Sequence, residues 1–316
     1  MGKRTYRYIT MAAATAVMGL TSCSQDEALN RGSLPADGRI TFSVGLSDNA
    51  AVTRAAAQAS ETPIALEGDG RALWLVPSVA ATADQERSTR GTQLGRSDKL
   101  SSFGVSAFRH KSADADLSDN QPDFFYNLEA TEVGETGVYQ VSQPYYWPAS
   151  DESLTFNAYY PYGNENVKLT DLNAATKNAG QQSFTVEVAQ DGKEQVDFMT
   201  ATSGESSFQT GATPGVTMSF KHQLTAVRFV LGDMFPGGYI KNIGISGIYR
   251  KGTYTIGSGW TLSDADKSAV AISYETGSRL DKQVEGTASE DVTGEGETFL
   301  LIPQEFAADD AAVISI

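Results

Sequence analysis

Residues 39–47 alternate strictly: Ile40, Phe42, Val44 and Leu46 fall on one side, and Thr41, Ser43, Gly45 and Ser47 on the other. A period of two belongs to an extended strand with one buried face and one solvated face. Comparable short runs return at 102–109, 124–128, 137–141, 154–160, 184–188, 216–220, 239–248, 252–256, 269–273 and 298–302, separated by stretches rich in Gly, Pro, Asn, Asp and Ser. Long helical periodicity is scarce, and Thr, Val, Tyr, Phe and Gly are frequent. Runs of this length and composition predict an all-β chain.

The first residues impose a second constraint. Lys3, Arg4 and Arg7 precede an uncharged run from Ile9 to Leu20. That run is shorter than the roughly 20 residues that span a bilayer, and its basic start suits a secretory signal. It ends in Leu20-Thr21-Ser22-Cys23, which resembles a bacterial lipobox. The resemblance implies lipidation of Cys23 as the mature N-terminus. Cys23 is the single cysteine of the chain, so the exported protein has no internal disulfide and rests on burial and backbone hydrogen bonds. The following Ser24-Gln25-Asp26-Glu27 resembles a surface-export signal of Bacteroidetes lipoproteins, and equally suits a plain solvated tether. No acidic residue precedes Cys23, whereas three of the 24 basic residues do; the mature chain therefore sets 39 acidic residues against 21 basic ones, a net charge of −18. Such a surface repels nucleic-acid phosphates and anionic membranes, so neither is an expected partner.

The length suggests two domains. Expected boundaries are a signal peptide at 1–22, a tether at 23–38, an N-terminal β-sandwich at 39–205 and a C-terminal β-sandwich at 213–316. The dividing point is the patternless Gly/Ser/Thr run at 202–215. Segment 48–60 is Ala-rich and contains Thr53-Arg54; segment 80–99 is long and polar, with Arg87, Arg90 and Arg96. A structureless stretch of about 20 residues is either functional or a tolerated insertion, and exposed loops with small neighbours are where proteases cut. Asp114, Asp116, Ser118 and Asn120 imitate the start of a calcium loop, but Asp119 and Phe125 stand where that loop needs Gly and Glu, so a solvated acidic loop is expected. Pro144-Tyr145-Tyr146-Trp147-Pro148 cannot form a central strand, and its aromatics are expected to cap a core edge. The last residues, Ala312 to Ile316, read as the middle of a strand, which suggests that the second domain lacks its C-terminal end.

Chemistry is sparse. His110 and His222 are the only histidines, and no nucleophile elbow, zinc-binding helix motif or cysteine pair occurs. His222, beside apolar positions, reads as a hydrogen-bonded structural residue. No catalytic constellation, metal site or cofactor is expected.

Several stretches together resemble one family: the lipobox, the 40–46 strand, Thr89-Arg90-Gly91-Thr92 before Phe103-Gly104-Val105, Tyr159-Tyr160-Pro161, Asp197-Phe198-Met199, the Phe220-to-Phe229 run with its Phe-x-His-x-Leu, and Leu300-Leu301-Ile302-Pro303-Gln304. They are similar to the fimbrillins of Bacteroidales, pilins of the FimA and Mfa types. The resemblance implies two tandem transthyretin-like β-sandwiches and an outer-membrane lipoprotein that becomes a fimbrial subunit or tip adhesin. It implies that a surface arginine-specific protease cuts after the first strand, and that the groove left by Ile40, Phe42, Val44 and Leu46 receives a strand from the next subunit. Arg90 is the first candidate for the cut and Arg54 the second. Implied partners are other subunits, the outer membrane through the lipid, that protease, and a host protein or glycan. The competing reading is a surface glycan-binding lipoprotein using Trp74, Tyr145, Tyr146 and Trp147 as a stacking platform.

Overall fold

The structure, a computed structural model, describes residues 38–47, 64–66, 73–75, 94, 98–111, 124–148, 152–170, 182–207, 215–230, 238–273, 282–284, 292, 298–306 and 312–316. Cys23, Arg54, Arg90 and the acidic loop at 114–120 lie outside this set. The chain is all-β. In chain order the strands are β1 (Phe42–Ser47), β2 (Ile64–Leu66), β3 (Leu73–Leu75), β4 (Ser102–Lys111), β5 (Phe125–Glu132), β6 (Val138–Val141), β7 (Glu152–Tyr160), β8 (Val167–Leu169), β9 (Ser183–Glu187) and β10 (Met199–Thr202). They continue as β11 (Val216–His222), β12 (Thr225–Val227), β13 (Gly238–Ile240), β14 (Asn242–Tyr249), β15 (Lys251–Thr255), β16 (Gly259–Thr261), β17 (Lys267–Ser273), β18 (Lys282–Val284), β19 (Phe299–Leu301) and β20 (Val313–Ser315). Helix among the described residues is confined to single 3-10 turns at Gly192–Glu194 and Asp264–Asp266. No helix there is long and apolar enough to cross a membrane.

Seven strands form a ring in the order β1-β11-β10-β7-β4-β5-β6. Its core gathers Ile40, Phe42, Phe103, Val105, Phe125, Tyr139, Leu154, Phe156, Met199, Val216, Met218 and Phe220, with Leu94 and Leu100 from the chain leading into β4. The alternation that marks β11 in the sequence is realised without exception: Val216, Met218, Phe220 and His222 are buried while Thr217, Ser219 and Lys221 are exposed. β7 departs from alternation, because both its faces are covered. Leu154, Phe156 and Ala158 face the ring core, whereas Tyr159 belongs to a second core. Asn157 Nδ2 donates to Gln182 Oε1 (3.0 Å), and Gln182 Nε2 donates to Ser106 Oγ (3.1 Å). These buried polar groups are thus bonded where the second body covers the ring.

The second core collects Phe184, Val186, Phe198, Leu224, Phe229, Ile243, Ile245, Ile248, Val270, Ile272, Phe299, Leu300 and Ile302. It lies among a β16-β15-β9-β8 sheet, a β17-β14-β20 sheet and the pairs β12-β19 and β13-β18. The two cores are interleaved along the chain. β9 pairs with β15 and feeds the second core, whereas β11 pairs with β1 and feeds the first. The boundary expected between 205 and 213 therefore does not separate them: a polar connection carries β11 back into the N-terminal ring, because that ring needs it as a wall. The run from 216 to 227 is two strands, with β11 and β12 in different sheets.

Candidate functional site: the slot occupied by β1

β1 is the strand that closes the ring. On one edge it runs parallel to β11 over six residue pairs, from Phe42↔Val216 to Ser47↔Lys221. On the other it runs antiparallel to β6 at Phe42↔Tyr139 and Ser43↔Val138. Ladder-like bonds extend upstream: Ile40 N donates to Tyr145 O (2.8 Å) and Trp147 N to Gly38 O (3.1 Å). Val216 N donates to Thr41 O (2.8 Å), an approach so close that a Cβ on Gly215 would meet that oxygen at 2.5 Å. Only glycine fits there.

The four apolar positions of the first strand face inward as their spacing demands. Ile40 and Phe42 are fully buried, and Val44 and Leu46 are half-buried against the same core. Phe42 stands edge-on to Phe156 (centroids 5.2 Å apart) and Phe103 (6.0 Å), and Phe103 continues to Phe220 (5.3 Å). Taking β1 away would strip the partners from one edge of β6 and one edge of β11, and uncover this aromatic cluster between them. A long apolar slot between two unpaired edges is what an incoming strand can fill.

One set of contacts around the slot could not be read from the sequence. Leu94 N donates to Asp197 Oδ2 (2.9 Å), and His222 Nδ1 lies 2.7 Å from that oxygen, with both side chains buried. His222 is thus a hydrogen-bonded structural histidine, as its apolar neighbours suggested. At the other end, Tyr139 Oη donates to Leu100 O (2.7 Å), and burial pushes the Tyr139 phenol up to about 12. Asp197-Phe198-Met199 stood out as a motif, but nothing in its spacing says that it reaches Leu94, 103 residues away.

Two of the four aromatic residues of the stacking-platform reading are packed against the ring core. Tyr145 packs on Phe125 (4.8 Å) and Phe124 (5.8 Å), and Trp147 stands edge-on to Phe156 (6.1 Å). These two cap the core edge, as expected from their flanking prolines; Tyr146 is exposed. Trp74 lies in β3 and its side chain is outside the described set. Among the described residues, no three His, Cys, Asp or Glu side chains come together to hold a metal ion.

Comparison with known proteins places this geometry in context. The description "Fimbrillin-like" matches residues 87–316. The chain is 26% identical over 219 residues to the fimbrium subunit Fim1C of Phocaeicola vulgatus, which covers 62% of this chain and 57% of that protein. It therefore spans a little over half the length of that relative. Among solved structures, a fimbrial protein of Bacteroides vulgatus is 19% identical with a TM-score of 0.46, covering 68% of this chain and 70% of the other. A protein from Bacteroides ovatus described as a cell adhesion protein is 13% identical with a TM-score of 0.44, covering 88% and 85%. Since the family match extends over more than half of the sequence, the chain belongs to the fimbrillin-like family.

Proposed function

We propose that this chain is a structural subunit or tip adhesin of a surface fimbria, assembled by exchange of β1 for a strand of a neighbouring subunit. One observation carries the reading: β1 holds an edge of β6 and an edge of β11 at once, so its departure leaves a slot with two unpaired edges. The two cores would correspond to two transthyretin-like sandwiches whose strands interleave along the chain. Cys23 would carry the lipid that holds the exported chain at the outer membrane until an arginine-specific protease cuts after Arg90, or alternatively Arg54. The replacement strand would present apolar side chains at every second position, matching Ile40, Phe42, Val44 and Leu46. A donor strand carried outside the subunit's own slot would make such contacts continue head to tail into a filament. The Fim1C relative is a fimbrium subunit, and that role is extended to this chain here. A host protein or glycan would be the ligand of a tip subunit.

The test is limited digestion of full-length protein with an arginine-specific protease, followed by mass spectrometry and size-exclusion chromatography. One early cut, release of a fragment containing residues 38–47 and growth of oligomers are expected. Simultaneous cutting at many arginines, or loss of the fragment with the remainder staying monomeric, would refute the reading.

A further inference from the structure

Once β1 departs, the ring becomes an open six-stranded sheet whose terminal strands, β6 and β11, form the two lips of the slot. Such edges ordinarily splay with the sheet's twist or pair with whatever strand they meet. Leu94 is fastened toward one lip and Leu100 to the other. Leu94 N donates to Asp197 Oδ2, which is paired with His222, the last residue of β11. Leu100 O accepts from the hydroxyl of Tyr139, a residue of β6. Lys99 Nζ adds a bond to Glu132 Oε1 (3.1 Å) at the end of β5, beside β6. Both leucine side chains are buried in the ring core. These anchors use neither the hydrogen-bonding edges of β1 nor its side chains.

We infer that the anchors at Leu94 and Leu100, six residues apart in the sequence, act together as a strap between the two lips, so that the slot keeps its width while β1 is absent. The inference rests on the removable-strand reading above and deepens it. Leu94 lies four residues after Arg90. After a cut there, the strap is the new N-terminal end of the chain, held by the Asp197–His222 pair. A slot whose lips are already spaced binds its strand faster, because less order has to be created on binding. Asp197, His222 and Tyr139 are therefore positioning residues for strand exchange.

The experiment uses the full chain carrying a recognition sequence for a specific protease within the polar run at 80–89, cut after folding. Fluorescent peptide of residues 38–47 is then added in excess, and its association and dissociation rates are measured. Tyr139→Phe keeps the ring in the core and removes only the bond to Leu100. It should slow association about two- to tenfold, the range expected for one lost hydrogen bond, while dissociation stays unchanged. Asp197→Asn should act in the same direction through the other lip. In a Cys23→Ser background, spin labels at Gln140→Cys and Ser219→Cys should report a distance that stays narrow when the slot is empty and broadens in Tyr139→Phe. If peptide binds the cut parent and both variants at equal rates, the strap is wrong and the removable strand survives. If peptide never binds the cut parent, the removable-strand reading fails and the strap falls with it.

Discussion

Replacing Phe42 by alanine is the sharpest perturbation of the ring. Phe42 is 0% exposed and touches Phe156 and Phe103 edge-on, and its backbone is paired on both sides. Truncating a buried phenylalanine costs about 3–5 kcal/mol, part of it the cavity left behind. With two aromatic partners and close-packed strands on either side, collapse is hindered, and about 4 kcal/mol is expected. That is a large share of the roughly 5–15 kcal/mol that holds a domain together. The loss should appear first at the neighbours that β1 covers. Hydrogen exchange followed by mass spectrometry should show the peptide containing Val216–His222 opening about a thousandfold faster, since each 1.4 kcal/mol is a factor of ten. The Asn242–Tyr249 peptide serves as an internal control, because among the described strands β14 pairs with β17 and β20, both in the other body. Ser43→Ala is the conservative companion: it removes an exposed hydroxyl pair with Thr217 (3.2 Å) and should cost well under about 1 kcal/mol. An exchange increase below tenfold for Phe42→Ala, or an equal increase in both peptides, would refute the claim that β1 is an integral wall of the ring.

Other outcomes follow from the same geometry. Gly104→Ala places a methyl 2.2 Å from the Tyr159 ring across the β4–β7 pair, so thermal melting should show a loss of about 1–3 kcal/mol. Tyr139 and Tyr159 are both held above the ordinary phenol value by burial. The unfolded chain ionises first, so stability is full below about pH 10 and falls as pH rises through the folded values; alkaline melts of Tyr139→Phe should show a weaker decline than the parent. Glu132 is held below its usual carboxylate value, first by the Gly137 N–H (2.7 Å) and further by Lys99. Its contribution is present at neutral pH and lost as pH falls through the lowered value, so Glu132→Gln should flatten the acid limb of a stability–pH curve slightly. Trp147→Ala should lower ring stability through lost packing against Phe156 and leave polysaccharide retention in affinity gels unchanged; a large loss of retention would favour the glycan-binding reading.

Where strands were long enough to show a period, they were legible in the sequence. β1, β4, β7, β9, β11 and β15 each place several apolar residues at alternate positions or in an unbroken run, and each was expected close to where it lies. The strands that escaped, β2, β8, β10, β16 and β18, have three or four residues. So few residues make no period; β8, β10 and β16 become strands because a longer neighbour offers them an edge, while β2 and β18 pair with the equally short β3 and β13. β8 shows this, since its three residues pair with Val186, Thr185 and Phe184 of β9. The run at 239–248 was read as one strand and is two, because β13 turns to β18 while β14 turns to β17 and β20.

The candidate site divides in the same way. Alternation in the amino-acid sequence determined which side chains of β1 would be inward and that they would need an apolar surface to cover them. Only the tertiary structure decided what that surface is: β11, parallel and more than 170 residues away by the Ser43–Thr217 pair, on one edge and β6 on the other. Side-chain pattern acts over a few residues along one strand. The choice of edge partners, and the Asp197–His222 hold on Leu94, depend on which backbone donors and acceptors remain unpaired after every other strand has found its place, a property of the assembled ring that no single segment contains.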